Sequence, residues 1–157
     1  MATAEGSDLK IVQLDPSFDS LGRVLELLSK VEPFSQHKLA DATRAVGEQI
    51  SRGAHVAAVD RDAGLVGYAG WVRTSRSYAE LWVEGKGPLR VVEQGSDAAA
   101  LTIVVAGNHQ ATVGLIRAAR GLNPGIRVYF MRGYETGTRQ ARKVSVLNRV
   151  EAPEVET

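Results

Sequence analysis

The sequence predicts an α+β chain built around one mixed, mostly antiparallel sheet flanked by helices. Three observations carry this. Leu21, Val24, Leu25 and Leu28, then Leu39, Thr43, Val46 and Ile50, recur at helical spacing, so two amphipathic helices open the chain. Apolar runs on either side of Asp60-Arg-Asp-Ala-Gly64 read as a hairpin. Between Leu101 and Met131 the pattern is strand, polar turn, helix and returning strand, a βαβ-like unit.

In order, residues 1–8 are small and polar and read as a disordered N-terminus, and 9–149 as a single domain. Leu9 to Leu14 reads as a short strand closed by Asp15-Pro16. The first helix is expected from about Phe18 to Val31, with Asp19 or Ser20 as its N-cap and Glu32-Pro33 as its stop. Ser35 is the expected cap of the second helix, and Gly53 suits its C-terminal end. His55–Val59 and Leu65–Val72 form the hairpin. Tyr78–Val83 alternates polar and apolar and reads as a further strand, with Gly85–Pro88 and Gln94–Asp97 as loops around it.

Leu101–Ala106 is apolar and β-branched, as suits a strand covered on both faces. Gly107-Asn108-His109 punctuates it. A helix follows with Thr112, Leu115, Ile116, Ala119 and Leu122 on one face, ended by Asn123-Pro124-Gly125. Ile126–Met131 reads as the returning strand, Gly133–Gly137 as a turn, Ala141–Leu147 as a last strand, and 150–157 as an acidic tail.

The 157 residues suffice for a real core, and 44% apolar with 24% charged residues is ordinary for a globular chain. A net charge of +1 gives no general reason to bind nucleic acid. With no cysteine, thiolate catalysis and Cys-based zinc sites are excluded. His37, His55 and His109 share no metal-ligand spacing, so no metal is expected. No apolar run approaches the roughly 18 residues of a membrane span. The first residues lack the basic and apolar regions of a signal peptide, so a cytoplasmic location is expected.

Ligands of such sheets gather at the carboxyl ends of strands, which directs attention to Gly107 and Asn108 as cofactor-binding positions. The turn lacks the Gly-Lys-Ser/Thr of a P-loop. It also lacks the Gln/Arg-x-x-Gly-x-Gly/Ala turn that holds the coenzyme A pyrophosphate in ordinary acetyltransferases. His37 lies at a helix entry, His109 follows the central strand, and His55 reads as structural. Trp71 and Trp82 read as packing residues. Arg132, Arg139, Arg142, Lys143 and Arg149 face the single acid Glu135 within their stretch, a solvated face or a dock for an acidic partner.

The same residues resemble the toxin-activating lysine acyltransferases, an atypical branch of the GCN5-related N-acetyltransferase (GNAT) fold. Leu21-Gly-Arg-Val24 is similar to the start of that family's first helix. Ser35-Gln-His37-Lys38 resembles its Ser/Pro-x-His-Arg loop, whose histidine is catalytic. Ala54–Val59 with Val66–Trp71 resembles its hairpin ending in Tyr-x-Ser-Trp. Gly95-Ser-Asp97, the strand to Ala106-Gly107 and the helix beyond resemble its Ser-Gly-Asp, strand, Ala-Pro-Phe-Gly and helix. The likeness runs from about Leu21 to Lys143. It departs where the family carries a catalytic aspartate early in the central strand: here Ala100-Leu101-Thr102 stands.

The resemblance implies transfer of a fatty acyl group from acyl carrier protein to lysines of a protein acceptor, a protoxin in that family. His37 would be the general base, Asp97 its orienting carboxylate if the fold joins them, and His109 the alternative histidine. It further implies no tightly bound cofactor, a homodimer, and an acidic carrier docked on Arg132, Arg139, Arg142 and Lys143. Two other readings stay open: a catalytically silent relative that binds a carrier or protein as a regulator, and small-molecule N-acyl transfer from acyl-CoA.

Overall fold

The computed structural model describes residues 9–132 and 142–147. Six strands form one sheet in the order β1-β2-β3-β4-β5-β6. They are β1 Lys10–Val12, β2 His55–Val59, β3 Leu65–Thr74, β4 Ala98–Ala106, β5 Arg127–Arg132 and β6 Arg142–Leu147. The helices are α1 Phe18–Ser29, α2 Leu39–Ser51, α3 Arg76–Val83 and α4 His109–Gly121, with a 3₁₀ turn at Phe34–Gln36. β1, β2 and β3 pair antiparallel, β4 and β5 parallel, β5 and β6 antiparallel. The predicted mixed α+β sheet is therefore present, including the β4–α4–β5 unit. Residues 1–8, the turn at Gly133–Gly137 and the acidic tail lie outside the described residues.

The chain forms two compact units. One holds the residues up to Gly70 together with Ile103–Ala118, the other Trp71–Thr102 together with the chain from Ala119. In the first, β2 and β3 pair His55 with Gly70 and Ala57 with Tyr68, which puts these four on one face. Tyr68 joins Val24 and Leu28 of α1, Phe34, Val46 and Ile50 of α2, and Ile103 and Val105 of β4 in one buried cluster. Each of the aliphatic side chains there contributes about 1.5–3 kcal/mol by leaving water. Ala58 and Gly67 belong to the opposite face, where α4 lies. A Cβ on Gly67 would come 3.0 Å from Leu115 Cδ1 and 3.2 Å from Ala58 Cβ, so the missing side chain lets α4 approach the sheet.

In the second unit, α3 covers the start of β4 and β5: Ala79, Ala98 and Tyr129 are buried together, with Trp82 and Val83 against them. Here the structure corrects the sequence reading, because Tyr78–Val83 is helical rather than a strand. Ser75 caps it by accepting from Tyr78 N at 3.2 Å, and Asp97 Oδ1 accepts from Arg76 N at 2.8 Å. Over so few residues alternation and the i, i+3, i+4 spacing of Ala79, Trp82 and Val83 are both satisfied, and the caps decide. Arg73 is held by Ser96 O at 3.2 Å and Asn123 Oδ1 at 3.4 Å, while Asn123 closes α4 by donating to Ala119 O at 2.8 Å.

Smaller corrections have local causes. α1 is capped by Ser17, not Asp19 or Ser20. Ser35 sits inside the 3₁₀ turn, and Lys38, which makes no side-chain cap bond, precedes α2. Leu39 is 74% exposed despite its helical phase, because it opens α2 ahead of the packed turns. On α4 the expected Leu115 and Ala119 are buried, joined by Ala111, while Thr112 and Ile116 are half-buried and Leu122 is 48% exposed. As expected, Gly53 stands just past α2 at φ +67, and Trp71 is buried.

Candidate functional site

Chain direction brings the predicted positions of the first unit to one end of the sheet. β1 and β2 are antiparallel, so the end where β1 stops is the end where β2 starts. α1 leaves from that end and α2 returns to it, which puts the connection carrying His37 at the other. The β2–β3 hairpin turn lies at that other end as well. Gly107 N donates to Val66 O at 3.3 Å, so β4 also finishes there. His37, Gly107, Asn108 and His109 thus share one end, the carboxyl end of β4.

His37 follows the 3₁₀ turn, its backbone N–H donating to Phe34 O at 3.1 Å. Its ring is exposed and lies edge-on to Phe34, with centroids 5.7 Å apart. Phe34 belongs to the buried cluster, so an anchored aromatic holds an otherwise solvent-facing imidazole. Among the described residues no carboxylate is hydrogen-bonded to His37 or His109. Asp97, proposed from sequence as the orienter, lies in the second unit with Oδ1 engaged at the start of α3.

The β4–α4 turn is Gly107-Asn108. Asn108 is the cap of α4: its Oδ1 accepts from Ala111 N at 2.8 Å, and its carbonyl accepts from Thr112 N and Thr112 Oγ1, each at 3.2 Å. His109 is the first helical residue and is exposed. A diphosphate held at a helix N-terminus takes the unpaired N–H groups of the first turn. Here the Ala111 N–H is taken by the chain's own side chain and the Gly107 N–H by Val66. Two of the N–H groups that such a cradle could use are therefore already engaged within the chain.

His55, read as structural, is 1% exposed and fully engaged. Its Nε2 accepts from Leu14 N at 2.8 Å and its Nδ1 lies 3.2 Å from Gln49 O. Tyr68 stacks on it and donates to Gln49 Oε1 at 2.9 Å. Burial holds the His55 pKa below its ordinary value and pushes the Tyr68 hydroxyl well up. The sequence reading missed this network; a histidine and a glutamine, each on an otherwise apolar face, are the signals that could have found it.

The side chains of Arg132, Arg142 and Lys143, and the whole of Arg139, lie outside the described residues; in the backbone, Arg132 of β5 pairs with Arg142 of β6. Among the described residues no three His, Asp or Glu side chains come together to hold a metal ion. No helix among them is long and apolar enough to cross a membrane.

No protein-family model matches the chain, and no curated protein matches it in sequence. Solved structures do. The loading GNATL domain of CurA from Lyngbya majuscula matches at TM-score 0.58 and 10% identity, over 79% of this chain and 64% of that one. This chain thus spans less than two thirds of that domain. A mosquito arylalkylamine N-acetyltransferase like 5b matches at TM-score 0.57 and 14% identity, over 79% of this chain and 76% of that one. The GphF GNAT-like decarboxylase, solved with isobutyryl-CoA, matches at TM-score 0.57 and 20% identity, over 79% and 67%. Identities this low speak for architecture alone, and with the sheet order and the β4–α4–β5 unit they show that the chain has the GNAT fold.

Proposed function

We propose that this chain transfers an acyl group from a thioester donor to an amine, with His37 as general base. The observation that carries the reading is an exposed imidazole whose ring nitrogens make no hydrogen bond among the described residues, braced by Phe34 at the same sheet end as the β4–α4 turn. A lysine amine, pKa near 10.4, must lose a proton before it attacks. His37 takes that proton first; the free amine then forms the C–N bond at the thioester carbonyl as the C–S bond breaks, and the second proton shed by the nitrogen goes to the leaving sulfur, releasing the thiol. The acceptor follows the resemblance: lysine side chains of a protein.

For the donor, the self-capped α4 favours an acyl chain presented on a carrier protein over free acyl-CoA. Breaking the Asn108 cap to seat a diphosphate costs about 1 kcal/mol. The alternative of CoA-dependent N-acyl transfer is kept alive by neighbours solved with coenzyme A or its esters. The silent-relative reading is favoured by Asp97, whose carboxylate serves α3, and by the absence of acid in Ala100-Leu101-Thr102.

One experiment separates the three: single-turnover acylation with acyl-carrier and acyl-CoA donors, alongside calorimetry of coenzyme A binding to wild type and Asn108→Gly. The carrier reading expects turnover with the carrier donor, weak coenzyme A binding, and about fivefold tighter binding in Asn108→Gly as the Ala111 N–H is freed. Tight wild-type binding that the substitution leaves unchanged, with turnover of acyl-CoA, makes the CoA reading correct. Consumption of neither donor leaves the regulator.

A further inference from the structure

One imidazole holds both walls of a groove at the sheet end opposite His37. The groove, of about 510 Å³, is lined by Pro16, Ser17, Phe18 and Leu21 on one side and Gly47, Ile50 and Ser51 on the other. The first wall begins just after Leu14, whose N–H is bound by His55 Nε2; the second begins beside Gln49, whose carbonyl faces His55 Nδ1. Since Nε2 accepts, the ring proton sits on Nδ1 and is donated to Gln49 O, which assigns a neutral tautomer from its partners.

We infer that His55 is an acid-sensitive latch on this groove: a proton taken up at Nε2 releases the Leu14–Phe18 wall. The chemistry is one of hydrogen-bond polarity. Protonation turns the Nε2 acceptor into a donor aimed at the Leu14 N–H, so that bond must break and the Leu14 amide loses its partner. The Nδ1–H bond to Gln49 survives, so the α2 wall stays fixed and the β1–α1 junction moves.

Among the described residues, the groups bonded to or stacked on the ring offer the imidazolium no counterion. The β1–α1 junction presents the Leu14 N–H and the Gln13 carboxamide, which donates to His55 O at 3.1 Å. α2 presents the Gln49 carbonyl and β3 the Tyr68 ring, its hydroxyl bound to Gln49 Oε1. All are neutral near pH 7. Burial accordingly favours the uncharged ring. The sign follows: the unfolded chain takes up a proton near pH 6.5 and the latched state resists it. The latch is therefore at full strength above about pH 6.5 and weakens as the pH falls toward the lowered pKa.

The test is amide hydrogen exchange of the intact chain, corrected for intrinsic rates, between about pH 7.5 and pH 5. Leu14 should lose protection about tenfold or more while Tyr68 and Val56 keep theirs. In His55→Gln, whose carboxamide can accept from Leu14 and donate to Gln49 without titrating, the Leu14 protection should become flat with pH. Unchanged Leu14 protection across the titration of the His55 ring, followed by ¹⁵N NMR, overturns the latch. So does a loss shared equally by Tyr68 and Val56, which is global acid unfolding. Should His55→Gln fail to fold, the wild-type profile alone still decides.

Discussion

His37→Ala should lower lysine acylation by about 10²–10⁴-fold, the range a positioned general base supplies, and leave the fold intact. The ring is exposed and lies edge-on to Phe34, so its loss should cost about 1 kcal/mol or less. Activity and stability therefore separate, which a structural role for His37 would not allow. His109→Ala is the control, since His109 opens α4 at the same end of the sheet. Acylated lysines are counted by mass spectrometry with a carrier-borne donor, and melting temperatures are measured on the same preparations. Full activity in His37→Ala with none in His109→Ala would assign the base to the wrong histidine.

Gly70→Val should be the most damaging substitution in the described sheet. On propensity alone a strand valine is favoured over glycine, by up to about 1 kcal/mol. Packing reverses that sign. A Cβ on Gly70 would overlap the carboxamide of Gln49, which is 3% exposed and cannot swing into water. Displacing it breaks the 2.9 Å bond from Tyr68 and strands a buried hydroxyl. Overpacking at about 1–3 kcal/mol and an unsatisfied buried group at about 1–3 kcal/mol give a loss of about 2–6 kcal/mol. The melting temperature should fall by roughly 5–15 °C. Thermal unfolding followed by circular dichroism reads this directly, and an unchanged or raised melting temperature refutes it.

Where local pattern and tertiary packing agree, the sequence was enough. β2 was expected at His55–Val59 and lies there; the hairpin, the end of α4 at Asn123 and the return of β5 parallel to β4 follow the same way. Tyr78–Val83 failed because a short stretch satisfies two periods, and the residue that settles it, Asp97, lies far along the chain. The candidate site was legible as positions only. His37 and the Gly107 turn could be named, and chain direction brings them to one end. That Asn108 spends its side chain on its own helix, and Asp97 on α3, are tertiary facts with no periodic signature.

One connection bears on how the sheet assembles. β4 lies next to β3 in the sheet, and its last residue is followed by Gly107, whose N–H bonds Val66 at the start of β3, so the two strands are antiparallel neighbours, a pair that a two-residue turn could join. Instead the chain runs from Ser75 through α3 to Asp97 before it returns. Closing the 23-residue connection 75–97 rather than the five residues of the β2–β3 turn loses about a further 1.4 kcal/mol of chain entropy, near tenfold in rate if closure precedes pairing. The β2–β3 hairpin should then be formed in the transition state for folding and β4 should dock later. Val56→Ala should show a high φ-value and Val105→Ala a low one, and equal values would mean that the detour through α3 is traversed before the rate-limiting step.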